Sequence, residues 1–239
     1  MSKVCVAICN YNHQKFLEES IRSIVSQDYE NLDIAVIDDG SKDRDLAREI
    51  TESFKDSRIR FIQIENNTGK WYCLNKAFST TDAEICTSHD ADDVSLPWRV
   101  SFQLEALKKS KTVHNLCGFH HCWNEEQVKN YFLLNEKPEK LNIVSSEEVF
   151  QTVLFGYKTK GINHYFTSDF ETAGVSSFFM KWVWDIGFRF NPPKQGLRIL
   201  HSEDSDFNCR VTLALRSTSL LLEKPYLYRR NTSTNCEEI

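Results

Sequence analysis

The sequence predicts an α/β fold in which a mostly parallel sheet has helices on both faces and is followed by a smaller, mixed β region. Short continuous apolar runs alternate with amphipathic stretches over the first 110 residues, and parallel strands buried on both faces have this continuous apolar character. The chain has 239 residues, 41% of them apolar and 26% charged, which is an ordinary balance for a folded protein. We therefore expect a single domain, 1–239, with a regular half at 1–110 and a less regular half at 111–239.

The first half is predicted to alternate between strands and helices. Apolar runs predict strands at 4–9, 34–37, 59–64 and 83–87, and apolar residues at helical spacing predict helices at 16–25, 43–54 and 70–78. Strands joined by helices in this way pair in parallel through right-handed crossovers. The carboxyl ends of all four strands are then expected at one edge of the sheet, which is where ligands of such folds bind.

The second half has a less regular pattern that predicts mixed β structure. Strands are expected at 113–123, 131–134 and 175–180, with a short helix at 149–155. The spacing of Phe207, Val211 and Leu215 predicts a last helix that has Glu203 and Asp204 in its first turn.

Charge and composition exclude several classes of protein. The net charge is −5 and the isoelectric point is about 5.8, whereas a nucleic-acid-binding protein usually has a basic stripe. Because no apolar run approaches the length of a membrane span, we expect no transmembrane segment and a cytoplasmic location. The eight cysteines lie partly within strand-like runs, as reduced, buried thiols do.

The most informative segment is Ser88-His89-Asp90-Ala91-Asp92-Asp93, which directly follows the fourth predicted strand. Its three carboxylates repel one another unless a cation lies between them. Mg²⁺ and Mn²⁺ take carboxylate oxygens and fill their other positions with water or phosphate oxygens. The segment therefore predicts a metal site for a diphosphate, with Asp90, Asp92 and Asp93 as candidate ligands. A solvated acidic turn is the alternative explanation, because Asp favours turns.

Polar residues also follow the other predicted strands. Asn10 and Asn12 follow the first strand, Asp38 and Asp39 the second, and Lys70 comes after the third. Each cluster has a structural explanation as a turn or a helix cap, but together they predict one binding edge. The chain contains neither GxGxxG nor GxxxxGK[ST], so the usual dinucleotide site and the P-loop are not supported.

At these residues the chain resembles the family 2 glycosyltransferases, which use nucleotide-sugar donors. The similar segments are VAICNYN, FLEESIRSIVSQDYENLDIAVIDDGSKD, NNTGKWYCLNKAF, HDADDVSLPWRV, HSEDSDF and PYLYRRNTST, in the family's order. The resemblance implies a GT-A fold, with a Rossmann-like sheet for the donor at 1–110 and an acceptor-binding half at 111–239. It also implies inverting transfer of a sugar from a UDP-type donor, assisted by Mn²⁺ or Mg²⁺.

The resemblance assigns roles on the donor side. Asp39 is expected to select the nucleoside, with Asp38 as its structural partner. Asp90 is expected to face the ribose or the metal's hydration shell, and Asp92 to hold the cation, with Asp93 as an alternative ligand.

Other residues are expected to contact the substrate. Asn10 and Asn12 belong to the same binding edge. Lys70 is expected to contact donor phosphate as a point charge, although an exposed loop lysine is the alternative. Arg229 or Arg230 is expected to contact phosphate when the C-terminal tail closes.

The resemblance also implies that Asp204 is the general base of the reaction, with Glu203 beside it. Inverting transfer needs a carboxylate that takes the proton of the attacking hydroxyl. Acids in the first turn of a helix also complement the helix dipole without any catalytic role. His201, two residues before Glu203, is a further candidate for metal or phosphate contact, with a loop histidine that binds nothing as the alternative.

Two other functions stay open at this point. A nucleotidyltransferase would share the parallel strands and the acidic metal site, but it usually has a glycine-rich, basic N-terminal loop, which Ile8 to Asn12 does not provide. A non-catalytic nucleotide-sugar-binding module would be expected to lack the base or the acidic motif, and both are present. The acceptor, whether glycan, lipid-linked or protein, is not specified by the fold.

Overall fold

The first half of the chain forms seven alternating elements in the computed structural model, which describes residues 1–134, 136–159, 176–192 and 203–229. The elements are β1 (Val4–Asn10), α1 (Gln14–Val25), β2 (Leu32–Asp39), α2 (Arg44–Ser53), β3 (Ile59–Ile64), α3 (Lys70–Ser79) and β4 (Ile85–Asp90). The predicted order of strands and helices is confirmed.

These four strands pair in parallel. β1 lies between β2 and β4, and the Cα atom of Val4 lies opposite those of Leu32 and Ile85. β3 pairs with the outer side of β2. The carboxyl ends of β1, β2 and β4 therefore meet at the same edge of the sheet, as predicted.

Alternation along β1 directs its side chains to two different cores. Val4, Val6 and Ile8 pack in one cluster with apolar side chains of α1. Cys5 and Ala7 are on the opposite face, in a cluster with apolar side chains of α3. Because successive side chains of a strand point to opposite faces, the continuous apolar run needs a helical layer on each side. The smaller side chains lie on the α3 face.

The second half completes a nine-stranded sheet within the described residues. Its elements are β5 (Val94–Ser95), α4 (Arg99–Ser110), β6 (His114–Cys122), α5 (Glu125–Leu134), β7 (Ile143–Val144), α6 (Ser146–Thr159), β8 (Phe178–Met180), α7 (Lys181–Asp185), α8 (Glu203–Leu215) and β9 (Thr218–Arg229). The strands are ordered β3-β2-β1-β4-β8-β6-β9-β5, and β7 pairs with β9. β8 runs antiparallel to β4 and β6, whereas β6 and β9 are parallel. The predicted mixed region is confirmed.

The strand predicted at 131–134 is wrong, because these residues are the end of helix α5. A short apolar run fits a strand and a buried helix equally well. The helix is favoured because Asn124 caps it: the Asn124 side chain accepts a hydrogen bond of 2.9 Å from the backbone N–H of Gln127. Val128 and Tyr131, one turn apart, then pack into the same core cluster.

Within the described residues, none of the helices combines the length and the apolar character needed to cross a bilayer.

Candidate active site

The acidic motif lies where β4 ends. Asp90 is the last residue of β4, and Asp92 and Asp93 follow in the turn that leads to β5. Each of the three acids offers a carboxylate oxygen, and these oxygens lie within 4.8 Å of one another. Hard divalent cations bind carboxylate oxygens at about 2.0–2.6 Å, so the three acids have the chemistry and the spacing that such an ion requires.

Asp93 connects the acidic motif to the last strand. It is buried, and its Oδ2 atom accepts a hydrogen bond of 2.7 Å from the Tyr226 hydroxyl. Its Oδ1 atom accepts a hydrogen bond of 2.8 Å from the backbone N–H of Arg229. Burial, together with the negative charges of Asp92 and Asp90, holds the pKa of Asp93 well above its usual value. These contacts fix β9 against the end of β4, which contains Asp90, and the turn that contains Asp92.

Arg229 lies behind the acidic motif, with a side chain only 4% exposed. Its guanidinium group donates to the backbone carbonyl of Asp92 at 2.8 Å and to the carboxylates of Glu19 and Glu125. The arginine thus ties α1, α5 and the acidic motif together. Its predicted contact with donor phosphate stays a prediction, and Arg230 and His201 lie outside the described residues.

The loops after β1 and β2 bond to each other. Asp38 accepts hydrogen bonds from the Asn10 amide at 2.7 Å and from the Ser41 hydroxyl at 2.6 Å. Asn12 continues the network, because its backbone N–H donates to Ser41 and its side chain accepts from the backbone N–H of Lys42. Three predicted substrate-binding residues, Asn10, Asn12 and Asp38, therefore shape the edge of the sheet through internal hydrogen bonds.

Asp39 joins the end of β2 to the loop before α3. Its Oδ1 atom accepts from the backbone N–H and the hydroxyl of Thr68, and its Oδ2 atom accepts from the backbone N–H of Gly69 at 2.8 Å. The neighbouring Gly40 has a φ of +70°, and a Cβ atom there would lie 2.7 Å from the carbonyl carbon of Asn66. Only glycine allows the two loops to approach this closely.

Lys70 is the first residue of α3, and it connects the acidic motif to the second half of the chain. Its Nζ atom lies 2.6 Å from Asp90 Oδ1, 3.0 Å from Asp204 Oδ2 and 3.8 Å from Glu203 Oε1. Burial by itself lowers the pKa of Lys70, but the surrounding carboxylates outweigh it and hold the pKa well above the usual value. The lysine is therefore a fixed positive charge among three acids.

Asp204 lies in the first turn of α8 and is only 4% exposed. Its buried Oδ1 atom has no hydrogen-bond partner among the described residues. Burial raises the pKa of Asp204 to about 7, although Lys70 lowers it, and Glu203 and Asp90 raise it further. A carboxyl group that titrates near neutrality and has an unpartnered oxygen is suited to accept a proton.

Comparison with known proteins identifies the family. The model of glycosyl transferase family 2 matches residues 5–185. The chain belongs to this family. An uncharacterized glycosyltransferase of Haemophilus influenzae is 39% identical over 107 residues, which are 45% of this chain and 33% of that protein. The match thus spans about a third of this relative's length.

Solved structures show the fold of this family 2 glycosyltransferase. S. aureus TarS 1-349 in complex with UDP-GlcNAc superimposes with a TM-score of 0.67 at 16% identity, covering 97% of this chain and 59% of that one. The mannosyltransferase PcManGT from Pyrobaculum calidifontis, in complex with GDP-Man and Mn²⁺, gives a TM-score of 0.60 at 16% identity, covering 98% of this chain and 58% of that one. The expected GT-A fold is confirmed.

The structure adds residues to the site that the sequence did not indicate. His13 Nδ1 lies 3.8 Å from Asp92 Oδ2. Arg99 is fully buried beneath the motif and donates to the Nδ1 atom of His89 at 3.1 Å. Because arginine has no acceptor, His89 must accept with Nδ1 and is neutral, and burial and the Arg99 charge lower its pKa well below the usual value. In the sequence, the only indication of a role for His89 and Arg99 was that they lie close to the acidic motif.

Proposed function

We propose that this glycosyltransferase moves a sugar from a UDP-type nucleotide-sugar donor to a hydroxyl group of its acceptor, with inversion and with Asp204 as the general base. One observation carries the proposal: the buried Asp204 is joined through Lys70 to Asp90 of the acidic motif. The residues expected to hold the diphosphate and the residue expected to accept a proton therefore meet at one point.

The donor side of the proposal rests on the edge of the parallel sheet. Asp39 is proposed to recognise the nucleoside, with Asp38, Asn10 and Asn12 holding the surrounding loops in place. TarS is described in complex with UDP and with UDP-GlcNAc, and PcManGT with GDP-Man. These ligands support a nucleotide sugar as donor, and the TarS complexes agree with the proposed uridine nucleoside.

The metal side of the proposal rests on the acidic motif. Asp92 and Asp90 would hold Mn²⁺ or Mg²⁺, and Asp93 is the third candidate ligand. A bound divalent cation supplies charge neutralisation for a departing diphosphate. Lys70 adds a second positive charge beside Asp90, in a position to contact the same phosphates. PcManGT is described with Mn²⁺, which supports the choice of ion.

The acceptor side of the proposal rests on Asp204. Its unpartnered Oδ1 atom is the proposed acceptor of the hydroxyl proton as the hydroxyl oxygen attacks the anomeric carbon from the side opposite the leaving group. Burial favours the protonated form of Asp204 most strongly, and Glu203 and Asp90 add to it, whereas Lys70 favours the ionised form; the resulting pKa is about 7. General-base assistance of this kind contributes roughly 10²–10⁴-fold.

The experiment is a donor screen with a base variant. The protein is incubated with UDP-, GDP- and TDP-sugars and Mn²⁺, with water as the hydroxyl acceptor of the sugar and EDTA as the metal control, and release of the nucleoside diphosphate is measured. We expect UDP release that depends on the metal and falls about 10²-fold or more in Asp204→Asn. Asp45→Asn, the same change in the exposed first turn of α2, controls for surface effects. An unchanged rate in Asp204→Asn would show that the base is misassigned.

A further inference from the structure

Four rings form a cluster on β6, β9 and the turn after β6. Phe119 and His121 are edge to face at 4.6 Å between centroids, His121 and Trp123 are 6.3 Å apart, and Tyr228 lies 5.9 Å from Phe119. His121 and Trp123 are exposed, with 56% of Trp123 accessible to solvent. We call these four residues the aromatic platform. A single exposed ring is ordinary on a protein surface, but rings that lie side by side form a contiguous apolar patch, and such patches mark sites for a ligand or a partner.

The backbone beneath the platform is firmly held. The backbone N–H of Trp123 donates to the side chain of Gln127, and the side chain of Asn124 accepts from the backbone N–H of Gln127. This arrangement is a variant of the capping box at the start of α5, in which the Gln127 side chain bonds to the residue before the N-cap Asn124. It fixes the corner of the chain that presents the indole, so little conformational entropy is lost when a ligand covers the ring.

The platform is continuous with the acidic motif. Tyr228 lies opposite His121 in the β6–β9 pairing and directly precedes Arg229. The backbone N–H of Arg229 donates to Asp93, and its guanidinium group donates to the carbonyl of Asp92. Tyr228 of the platform is therefore next in sequence to the residue that bonds to Asp92 and Asp93 of the acidic motif.

We propose that the aromatic platform is a subsite for an uncharged sugar ring of the acceptor, which makes the acceptor a glycan or a glycoside. This inference rests on the proposed function. A pyranose has one face of C–H groups, which can cover an aromatic ring, and a rim of hydroxyl groups, which need hydrogen-bond partners. The platform offers the first kind of contact, because the rings of Trp123 and His121 are exposed. The carboxylate of Glu126 is exposed on the adjoining turn of α5.

The test measures sugar binding directly, without turnover. The full chain is saturated with UDP and Mn²⁺ and titrated with methyl glycosides and disaccharides of glucose, galactose and N-acetylglucosamine, using saturation-transfer NMR. We expect at least one sugar to bind, with the strongest transfer to its C–H face. Trp123→Ala and His121→Ala should each weaken binding about 3- to 10-fold, as the loss of a ring contact does. Trp123→Phe should retain most of the affinity.

Controls separate this inference from the proposed function. Trp182→Ala removes another exposed tryptophan, 42% accessible and on α7, and should leave sugar binding unchanged. UDP binding, measured by calorimetry with Mn²⁺, should be equal in all variants. If the parent protein does not bind UDP, the proposed function fails. If UDP binds but no sugar does, or if Trp123→Ala binds sugar as the parent does, the platform assignment alone is wrong. Sedimentation of the parent as a dimer and of Trp123→Ala as a monomer would also overturn the platform assignment. The rings would then form an interface between two copies of the protein.

Discussion

The ammonium group of Lys70 lies 3.0 Å from the Oδ2 atom of Asp204, although 134 positions separate the two residues in the chain. Lys70 begins a helix of the parallel half and Asp204 lies in the first turn of a helix of the mixed half, so the ion pair holds the two halves together at the site. Asp90 shares the same ammonium at 2.6 Å. A change in charge at any one of these three residues is therefore expected to alter the electrostatic environment of the other two.

The first prediction concerns the pH dependence of transfer. Asp204 must be ionised to accept a proton, and burial raises its pKa to about 7. Transfer should therefore increase about tenfold per pH unit below pH 7 and level off above it. The measurement is kcat/KM for the best donor between pH 5 and 9 with Mn²⁺ held constant. A profile that is flat from pH 5.5 to 8.5 would contradict the assignment of Asp204 as the base.

The second prediction concerns Lys70→Met. Lys70 lowers the pKa of Asp204, whereas burial, Glu203 and Asp90 raise it. Removal of the ammonium should raise the pKa of Asp204 above 7, move the rise in activity to higher pH, and reduce the rate at pH 7 by roughly tenfold for each unit of that shift. Lys70→Arg keeps the charge and should keep the midpoint of the profile closer to that of the parent. Identical profiles for the methionine variant and the parent would show that Lys70 does not act on the base.

The third prediction concerns Gly40→Ala. Gly40 has a φ of +70°, and an added Cβ atom would lie 2.7 Å from backbone atoms of Asn66. The substitution should lower the free energy of unfolding by about 1–3 kcal/mol. It should also weaken UDP binding, because the loop that would have to move is held by Asp39. Gly187→Ala is the matched control, since Gly187 has a φ of +120° but nothing lies within 4 Å of the added Cβ. Calorimetric unfolding and UDP titration of both variants give the comparison.

The parallel half of the fold could be predicted from the sequence because its strands are buried on both faces. That burial demands continuous apolar runs such as Val4 to Cys9, and helical periodicity then fills the intervals. The convergence of Asn10, Asp39 and Asp90 at one edge follows from the parallel pairing alone. This part of the candidate site therefore required no tertiary information beyond the topology.

The rest depends on contacts between distant segments, which a single sequence does not specify. Nothing local indicates that Tyr226 donates to Asp93, or that Lys70 reaches Asp204, because both contacts depend on how the mixed half folds back on the sheet. Helix α5 was missed for a different reason. Its apolar residues fit a strand as well as a helix, and the capping pair Asn124 and Gln127 was the signal that would have decided between them.

The fourth prediction concerns stability and Asp93. Its pKa in the folded protein is well above the usual value, so the folded state binds a proton that the unfolded chain has lost above about pH 4. The contribution of Asp93 to the free energy of unfolding should therefore decrease as the pH rises from about 4 toward neutrality. Asp93→Asn removes this titration, so the stability of the parent relative to the variant should decline over that interval in urea unfolding series. A constant difference across the interval would show that Asp93 is not perturbed by burial.

The fifth prediction separates the roles of Asp92 and Asp93 in metal binding. Both carboxylate oxygens of Asp93 already accept hydrogen bonds, from Tyr226 and from the backbone of Arg229, whereas the resemblance to the family assigns the cation to Asp92. A ligand at a hundred times its Kd stabilises the folded state by about 2.7 kcal/mol, which corresponds to an increase in Tm of roughly 5–10 °C for a chain of this size. Mn²⁺ should produce such an increase in the parent and in Asp93→Asn, and little or none in Asp92→Asn. Comparing each variant with and without Mn²⁺ cancels the change in basal stability that the substitution itself causes. Loss of the Mn²⁺ effect in Asp93→Asn with its retention in Asp92→Asn would reverse the two assignments, because the buried acid would then be the ligand.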